Sequence, residues 1–155
     1  GNSVSGYMNE LAAHGKYTVR PETAQKIAAE FACGFCDDKG TKQTIAKLFS
    51  KKNYLLDTHT AVAWNVAESY RETSGAKNPL VVVSTASPFK FCQSVLEALG
   101  ETEFAAGTDI IAQLAKKTGK TAPAPLAGLA GKAVRFTGVT GKDEMEGKVT
   151  EFLRA

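Results

Sequence analysis

Two short polar clusters in the middle of the chain carry residue types that can do chemistry. Asp57-Thr58-His59-Thr60 follows a short apolar run, and Ser84-Thr85-Ala86-Ser87 follows the apolar residues Leu80 to Val83. An Asp beside a His can orient an imidazole, and hydroxyls at a strand end can meet the ring or phosphate of a ligand. Lys90 follows in the first turn of a predicted helix, where the helix dipole opposes its charge. An anionic ligand there would relieve that conflict, which favours a phosphate.

The same residues also have plainer interpretations. Asp57 is a good helix N-cap by residue type, and an isolated histidine such as His59 more often caps or packs than catalyses. Ser84 and Thr85 are consistent with turn and capping hydroxyls. A hydrolase triad is disfavoured, because no Ser or Cys nucleophile is identifiable beside Asp57 and His59.

The three cysteines are too few and too odd in number for a secreted disulfide framework, which favours a reducing, cytoplasmic setting. Cys33 and Cys36 form a CxxC, but they follow a helical pattern, whereas a redox motif places its first Cys at a helix N-terminus. Zinc would need two more ligands, and His14, His59 and Cys92 have no familiar spacing. We interpret the cysteines as structural and predict no metal site, with a CxxC oxidoreductase as an alternative.

The elements that must position these clusters follow from the spacing of apolar residues. That spacing predicts helices over residues 4–13, from Pro21 onward, from a Thr41 N-cap to near Asn53, over 61–72, from Pro88 to 99, over 108–117 and over 143–154. Residues 80–84 are apolar on both faces, as is typical of a buried parallel strand, and residues 54–56 form a shorter apolar run. Residues 133–137 alternate weakly, as a strand does, and residues 121–131 indicate a loop.

The middle of the chain therefore predicts a βαβ unit of an α/β fold, with ligands bound beyond the carboxyl ends of its strands. We divide the sequence into a helical segment at 1–53, a βαβα core segment at 54–101 that holds both polar clusters, and C-terminal helices and a loop at 102–155. A parallel sheet buries its central strands between neighbouring strands, and this sequence predicts too few strands for that. We expect this helix-rich chain to be a piece of a larger α/β domain, whose partner strands come from sequence outside it.

Composition and charge exclude some classes of partner. The 155 residues include 43% hydrophobic and 23% charged residues, which are ordinary globular values. The formal net charge of +3 comes from scattered lysines, so we expect no nucleic-acid partner. We find no apolar run of transmembrane length and no signal sequence, so we expect no membrane partner.

Two blocks of the sequence resemble threonine synthase. Residues 54–64, YLLDTHTAVAW, resemble its D/E-P-H-T/A-A-V-A stretch, and residues 84–101, STASPFKFCQSVLEALGE, resemble its T-A-H-P-A-K-F block and the following helix. Thr58 stands where Pro is usual, and Ser87 and Phe89 stand where His and Ala often appear. Because the order and interval of the blocks also match, the chain resembles the C-terminal part of a bacterial threonine synthase.

This resemblance implies an enzyme of fold type II that depends on pyridoxal phosphate (PLP), related in fold to tryptophan synthase β and cysteine synthase. Such an enzyme is a lyase of threonine biosynthesis. It converts O-phospho-L-homoserine and water to L-threonine and phosphate, with the cofactor as the electron sink.

The resemblance also implies roles for individual residues. Thr85 corresponds to the hydroxyl that meets the pyridine nitrogen, with Ser84 beside it, and Asp57 and His59 belong to the loop beside the cofactor. Lys90 is expected near a substrate or cofactor phosphate.

The family's Schiff-base lysine and its glycine-rich phosphate loop have no counterpart in this sequence. We therefore expect no catalytic residue in this chain, no activity from the chain alone, and the missing N-terminal part of the same polypeptide as its partner. The alternative is a stand-alone, non-catalytic binding or regulatory module derived from the threonine synthase C-terminus.

Overall fold

A computed structural model describes residues 1–154 and shows a helix-rich chain. The helices are α1 (Asn2–His14), α2 (Pro21–Glu30), α3 (Asp38–Lys52), α4 (Thr58–Ser74), α5 (Cys92–Ala98), α6 (Asp109–Thr118), α7 (Ala124–Ala127) and α8 (Met145–Arg154). Contacts divide the chain into two compact units, Gly1–Thr102 and a second that begins at Glu103. The division into three segments made from the sequence stays a prediction.

The core of the first unit lies where α3 packs against α4 and α5. Its buried apolar side chains come from these helices and the loops beside them: Ile45, Leu48, Leu56, Ala61, Phe89, Cys92, Val95 and Leu96. Burying a large aliphatic side chain contributes about 1.5–3 kcal/mol, so this cluster holds the three helices together. Helices α1 and α2 bury no residue.

Polar contacts also join the three helices. Lys42 on α3 pairs with Glu97 on α5 at 2.6 Å, and the Asn65 side chain on α4 donates to the Thr44 hydroxyl on α3 at 3.3 Å. Because these contacts cross between helices, they help to fix how α4 and α5 sit on α3.

The second unit centres on α6, which packs against α7. Leu114 and Thr118 on α6 are buried, and the Thr118 hydroxyl donates to the Leu114 carbonyl at 2.7 Å. Part of the loop predicted at residues 121–131 is helical, since it contains α7 and a 3-10 turn at Gly128–Gly131. None of the helices within residues 1–154 combines the length and apolar character needed to cross a bilayer.

The structure confirms the predicted long helices, but α3 and α4 begin earlier than predicted, and α5 begins at Cys92 rather than at Pro88. Helix α3 begins at Asp38, because Asp37 rather than Thr41 is its N-cap and accepts the Gly40 N–H at 2.7 Å. Helix α4 begins at Thr58, before the predicted Ala61, because Asp57 caps it. Aspartate accepts helix N–H groups well, so both helices start directly after these side chains.

The predicted strands do not form within residues 1–154, so the βαβ unit is not confirmed. Residues 54–56, 80–84 and 133–137 lie outside helices but pair with no neighbour. Leu80, Val81 and Val83 are 37%, 88% and 68% exposed, instead of buried between sheet layers. A strand exists only through hydrogen bonds to an adjacent strand, which an apolar run cannot supply by itself.

Candidate functional site

Asp57 anchors the first polar cluster at the N-terminus of α4. One carboxylate oxygen accepts the backbone N–H of His59 at 2.9 Å and that of Thr60 at 3.2 Å. The other oxygen accepts the Thr60 hydroxyl. Asp57 is only 1% exposed, and its negative charge lies where the helix dipole is positive. The capping interpretation of Asp57 is therefore confirmed, and its carboxylate is fixed in place.

Thr60 connects the two polar clusters. It is buried, at 3% exposure, and its hydroxyl oxygen lies 3.3 Å from the Ser84 hydroxyl oxygen. The contact joins the N-terminus of α4 to the extended segment that ends at Thr85. The structure thus brings Asp57 and Ser84 together through a residue that sequence reasoning did not select.

Thr85 follows directly on this anchored position. Both Ser84 and Thr85 are exposed, and the Thr85 hydroxyl has no hydrogen-bond partner within residues 1–154. A hydroxyl can donate one hydrogen bond and accept two. Thr85 therefore offers a complete set of hydrogen-bonding positions beside a fixed neighbour.

His59 presents an accessible imidazole beside the Asp57 carboxylate. Its side chain is 65% exposed, and its Nδ1 lies 3.5 Å from Asp57 Oδ1. The Thr58 hydroxyl oxygen is 3.4 Å from the same nitrogen. The imidazole also contacts the Phe91 ring, with centroids 4.9 Å apart and planes tilted by 57°. One edge of the imidazole is thereby held while the rest faces solvent.

Lys90 lies in a short 3-10 turn, Pro88–Lys90, rather than in a helix. The Ser87 hydroxyl opens this turn by accepting the Phe89 N–H at 3.3 Å, and α5 begins only at Cys92. The predicted conflict between Lys90 and the first turn of a helix is therefore wrong. Lys90 is exposed and makes no ion pair or hydrogen bond with the side chains described.

A cavity of about 510 Å³ lies beside His59. Residues of α3, α4 and α5 line most of it: Cys36, Asp38, Thr41, Lys42, Thr58, His59, Val62, Ser94 and Glu97. The hydrogen bond from Lys42 holds the pKa of the Glu97 carboxyl below its usual value, and the same contact raises the pKa of Lys42. These two charges already satisfy each other.

All three cysteines are free thiols, and no group of three or more His, Cys, Asp or Glu side chains within residues 1–154 is arranged to hold a metal ion. Helix α2 ends at Glu30, so the CxxC follows a helix, as predicted, and lies in the loop between α2 and α3. The Thr41 hydroxyl donates to the Asp37 carbonyl at 2.8 Å, and its oxygen lies 3.7 Å from the Cys36 sulfur. Cys92 is buried, and desolvation raises the pKa of its thiol.

Sequence reasoning missed Thr60 and Phe91. Thr60 carried a local signal, because a hydroxyl three residues after an Asp N-cap can reach the cap side chain. Its contact with Ser84 spans 24 residues, and no spacing rule predicts such a pair. The contact between Phe91 and His59 is equally remote in sequence.

Comparisons with known proteins agree with the resemblance of the two blocks. The profile of the family "Threonine synthase, C-terminal" matches residues 60–150. The chain is 37% identical over 81 residues to threonine synthase of Corynebacterium glutamicum, and 31% identical over 97 residues to that of Schizosaccharomyces pombe. These matches cover 50% and 62% of this chain.

A solved structure is also similar to this chain and points to the same family. The crystal structure of PLP-bound threonine synthase from Brucella melitensis is similar to 72% of this chain, with a TM-score of 0.57 and 32% sequence identity. Since the family profile covers more than half of the sequence, this chain belongs to the threonine synthase C-terminal family. It spans 16%, 19% and 24% of the Corynebacterium, Schizosaccharomyces and Brucella proteins respectively.

Proposed function

We propose that this chain supplies one wall of the PLP pocket of a cytoplasmic threonine synthase, which converts O-phospho-L-homoserine and water to L-threonine and phosphate. The observation that carries the proposal is that the two family blocks, residues 54–64 and 84–101, meet at Thr60. The Thr60 hydroxyl donates a hydrogen bond to Asp57 and contacts the Ser84 hydroxyl. PLP, when bound, supplies an electron sink for carbanions. The chain's own residues position that group.

We assign Thr85 as the residue whose hydroxyl donates a hydrogen bond to the pyridine nitrogen of PLP. Its hydroxyl is exposed and has no partner within residues 1–154, so it is free to donate to a ring nitrogen. A neutral hydroxyl, unlike a carboxylate, does not stabilise a proton on that nitrogen. Thr85 thus holds the ring in its unprotonated form.

His59 and Lys90 complete the wall. The His59 imidazole is exposed beside a fixed carboxylate, so it can contact the cofactor or substrate from one side. Lys90 is an exposed cation in the turn next to Phe91, the ring that contacts His59. We assign Lys90 to a phosphate of the substrate or cofactor.

The unpaired extended segment at residues 79–85 indicates which partner this chain needs. Val81 and Val83 are 88% and 68% exposed, and burial between sheet layers would remove this apolar surface from water. We propose that residues 79–85 join a parallel sheet built by the rest of a longer polypeptide. That remainder also supplies the Schiff-base lysine, so this chain has no activity alone.

Replacing Thr85 tests the pocket assignment. In the complete enzyme, Thr85→Val should shift the absorption of the bound cofactor and lower kcat by roughly tenfold or more, because one hydrogen bond to the ring is lost. The measurements are the cofactor spectrum and steady-state kinetics with O-phospho-L-homoserine.

Thr85→Ser is the matched control, since it keeps the hydroxyl and should retain the wild-type spectrum. Unchanged spectrum and kinetics in Thr85→Val would overturn the assignment of Thr85.

A further inference from the structure

A chain of three oxygen atoms runs from the buried carboxylate to the surface. The Thr60 hydroxyl donates to Asp57, and the Ser84 hydroxyl oxygen lies 3.3 Å from that of Thr60. Asp57 and Thr60 are buried, while Ser84 is exposed. The three oxygens therefore connect an exposed hydroxyl to a buried group that can only accept.

The direction of each hydrogen bond follows from counting protons. A carboxylate only accepts, and a threonine hydroxyl has a single proton to give. Because Thr60 gives its proton to Asp57, it can only accept from Ser84. Where the Ser84 hydroxyl bonds Thr60, it therefore does so as the donor, with its proton pointing inward and its lone pairs facing solvent.

We propose that Thr60 is a positioning residue that gives the two adjacent hydroxyls opposite roles. Ser84 is an acceptor towards a ligand, so it meets an ammonium, N–H or hydroxyl donor. Thr85 is the donor, so an unprotonated ring nitrogen selects Thr85 and not its neighbour. This inference rests on the proposed function for the identity of the ligand, but the hydroxyl arrangement does not depend on it.

Slow hydroxyl exchange in this chain tests the arrangement without any cofactor. In an equal mixture of H2O and D2O, a hydroxyl that exchanges slowly gives paired Cβ carbon lines in NMR spectra. We expect paired lines for Thr60 and Ser84 and a single line for Thr85. In Thr60→Val the Ser84 pair should collapse to one line, and Thr60→Ser should restore it.

Thr44→Val is the matched control. Thr44 is as buried as Thr60, at 4% exposure, but its hydroxyl donates to the Gly40 carbonyl on α3. This variant should leave the paired lines of Ser84 unchanged.

Two outcomes overturn the proposal: a single Ser84 line in the wild type, or a Ser84 pair that persists in a folded Thr60→Val. The wild-type measurement decides the question even where Thr60→Val does not fold. If the lines behave as expected while Thr85→Val leaves the cofactor spectrum unchanged, the proposed function fails and the hydroxyl arrangement stands.

Discussion

The Asp57 side chain performs two separable tasks. One oxygen accepts the first backbone N–H groups of α4, and the other accepts the Thr60 hydroxyl. The first task stabilises the helix, and the second sets the hydroxyl chain that leads to Ser84. Substitutions at this one position can distinguish between them.

Asp57→Ala should lower the free energy of unfolding by about 1–3 kcal/mol, because it removes the cap and leaves buried N–H groups unpaired. Asp57→Asn should cost less than about 1 kcal/mol, since asparagine caps nearly as well. Urea unfolding followed by fluorescence of Trp64, the single tryptophan of the sequence, measures both. Equal losses in the two variants would contradict the capping role.

The ion pair between α3 and α5 makes the packing of these helices depend on pH. Lys42 lowers the pKa of Glu97, so the folded state binds this proton less readily than the unfolded state. The stabilisation is therefore complete above 4.5, the ordinary value for Glu, and declines as pH falls through the lowered pKa. The pKa of Lys42 is shifted in the opposite direction, upward, so the stabilisation from this side chain declines only as pH rises above 10.5, the ordinary value for Lys.

Glu97→Gln should lower the urea midpoint at about pH 7, and the midpoints of variant and wild type should converge at acid pH as Glu97 becomes protonated. Added salt should also reduce the difference, because both side chains are partly exposed.

Glu151→Gln is the control for Glu97→Gln. It breaks a pair with Lys148 inside α8 of the second unit, at 2.8 Å, and should leave the midpoint detected by Trp64 unchanged. A midpoint difference for Glu97→Gln that is constant across the acid range would contradict the role of this ion pair.

Helices were predictable from the sequence because their signals are local. The spacing of Ile45 and Leu48 predicted α3, and its C-terminus near Asn53 is confirmed by a left-handed φ of 52° at that residue. The start of α3 was missed because Thr41 was chosen as the N-cap instead of Asp37, whereas Asp57 was recognised as an N-cap by residue type although its helix was predicted only from Ala61.

Contacts distant in sequence were not predictable in the same way. The apolar run at residues 80–83 was recognised, but whether it pairs depends on a neighbouring strand that local pattern does not specify. The family was recognisable from two motif blocks, and its profile match confirms that resemblance. The link through Thr60 became visible only when the fold placed residues 60 and 84 together.

The chain alone should form no specific covalent adduct with PLP, because none of its lysines lies in the sequence context of the Schiff-base lysine. Incubation with PLP, borohydride reduction and mass spectrometry after digestion should show only scattered, low-level labelling of its exposed lysines.

The complete enzyme is the positive control for this labelling, since one site should dominate there. A single dominant labelled lysine in the isolated chain would contradict the assignment of the reactive lysine to the rest of the polypeptide.

The exposed segment at residues 80–83 has a consequence for how this polypeptide behaves at high concentration. Its peptide groups are unpaired, and Val81 and Val83 face solvent, which are the properties of an open sheet edge. Another copy can add to such an edge in cross-β fashion, and each addition presents the same edge again. In the enzyme proposed above, the sheet that covers this segment would therefore also protect the chain against aggregation.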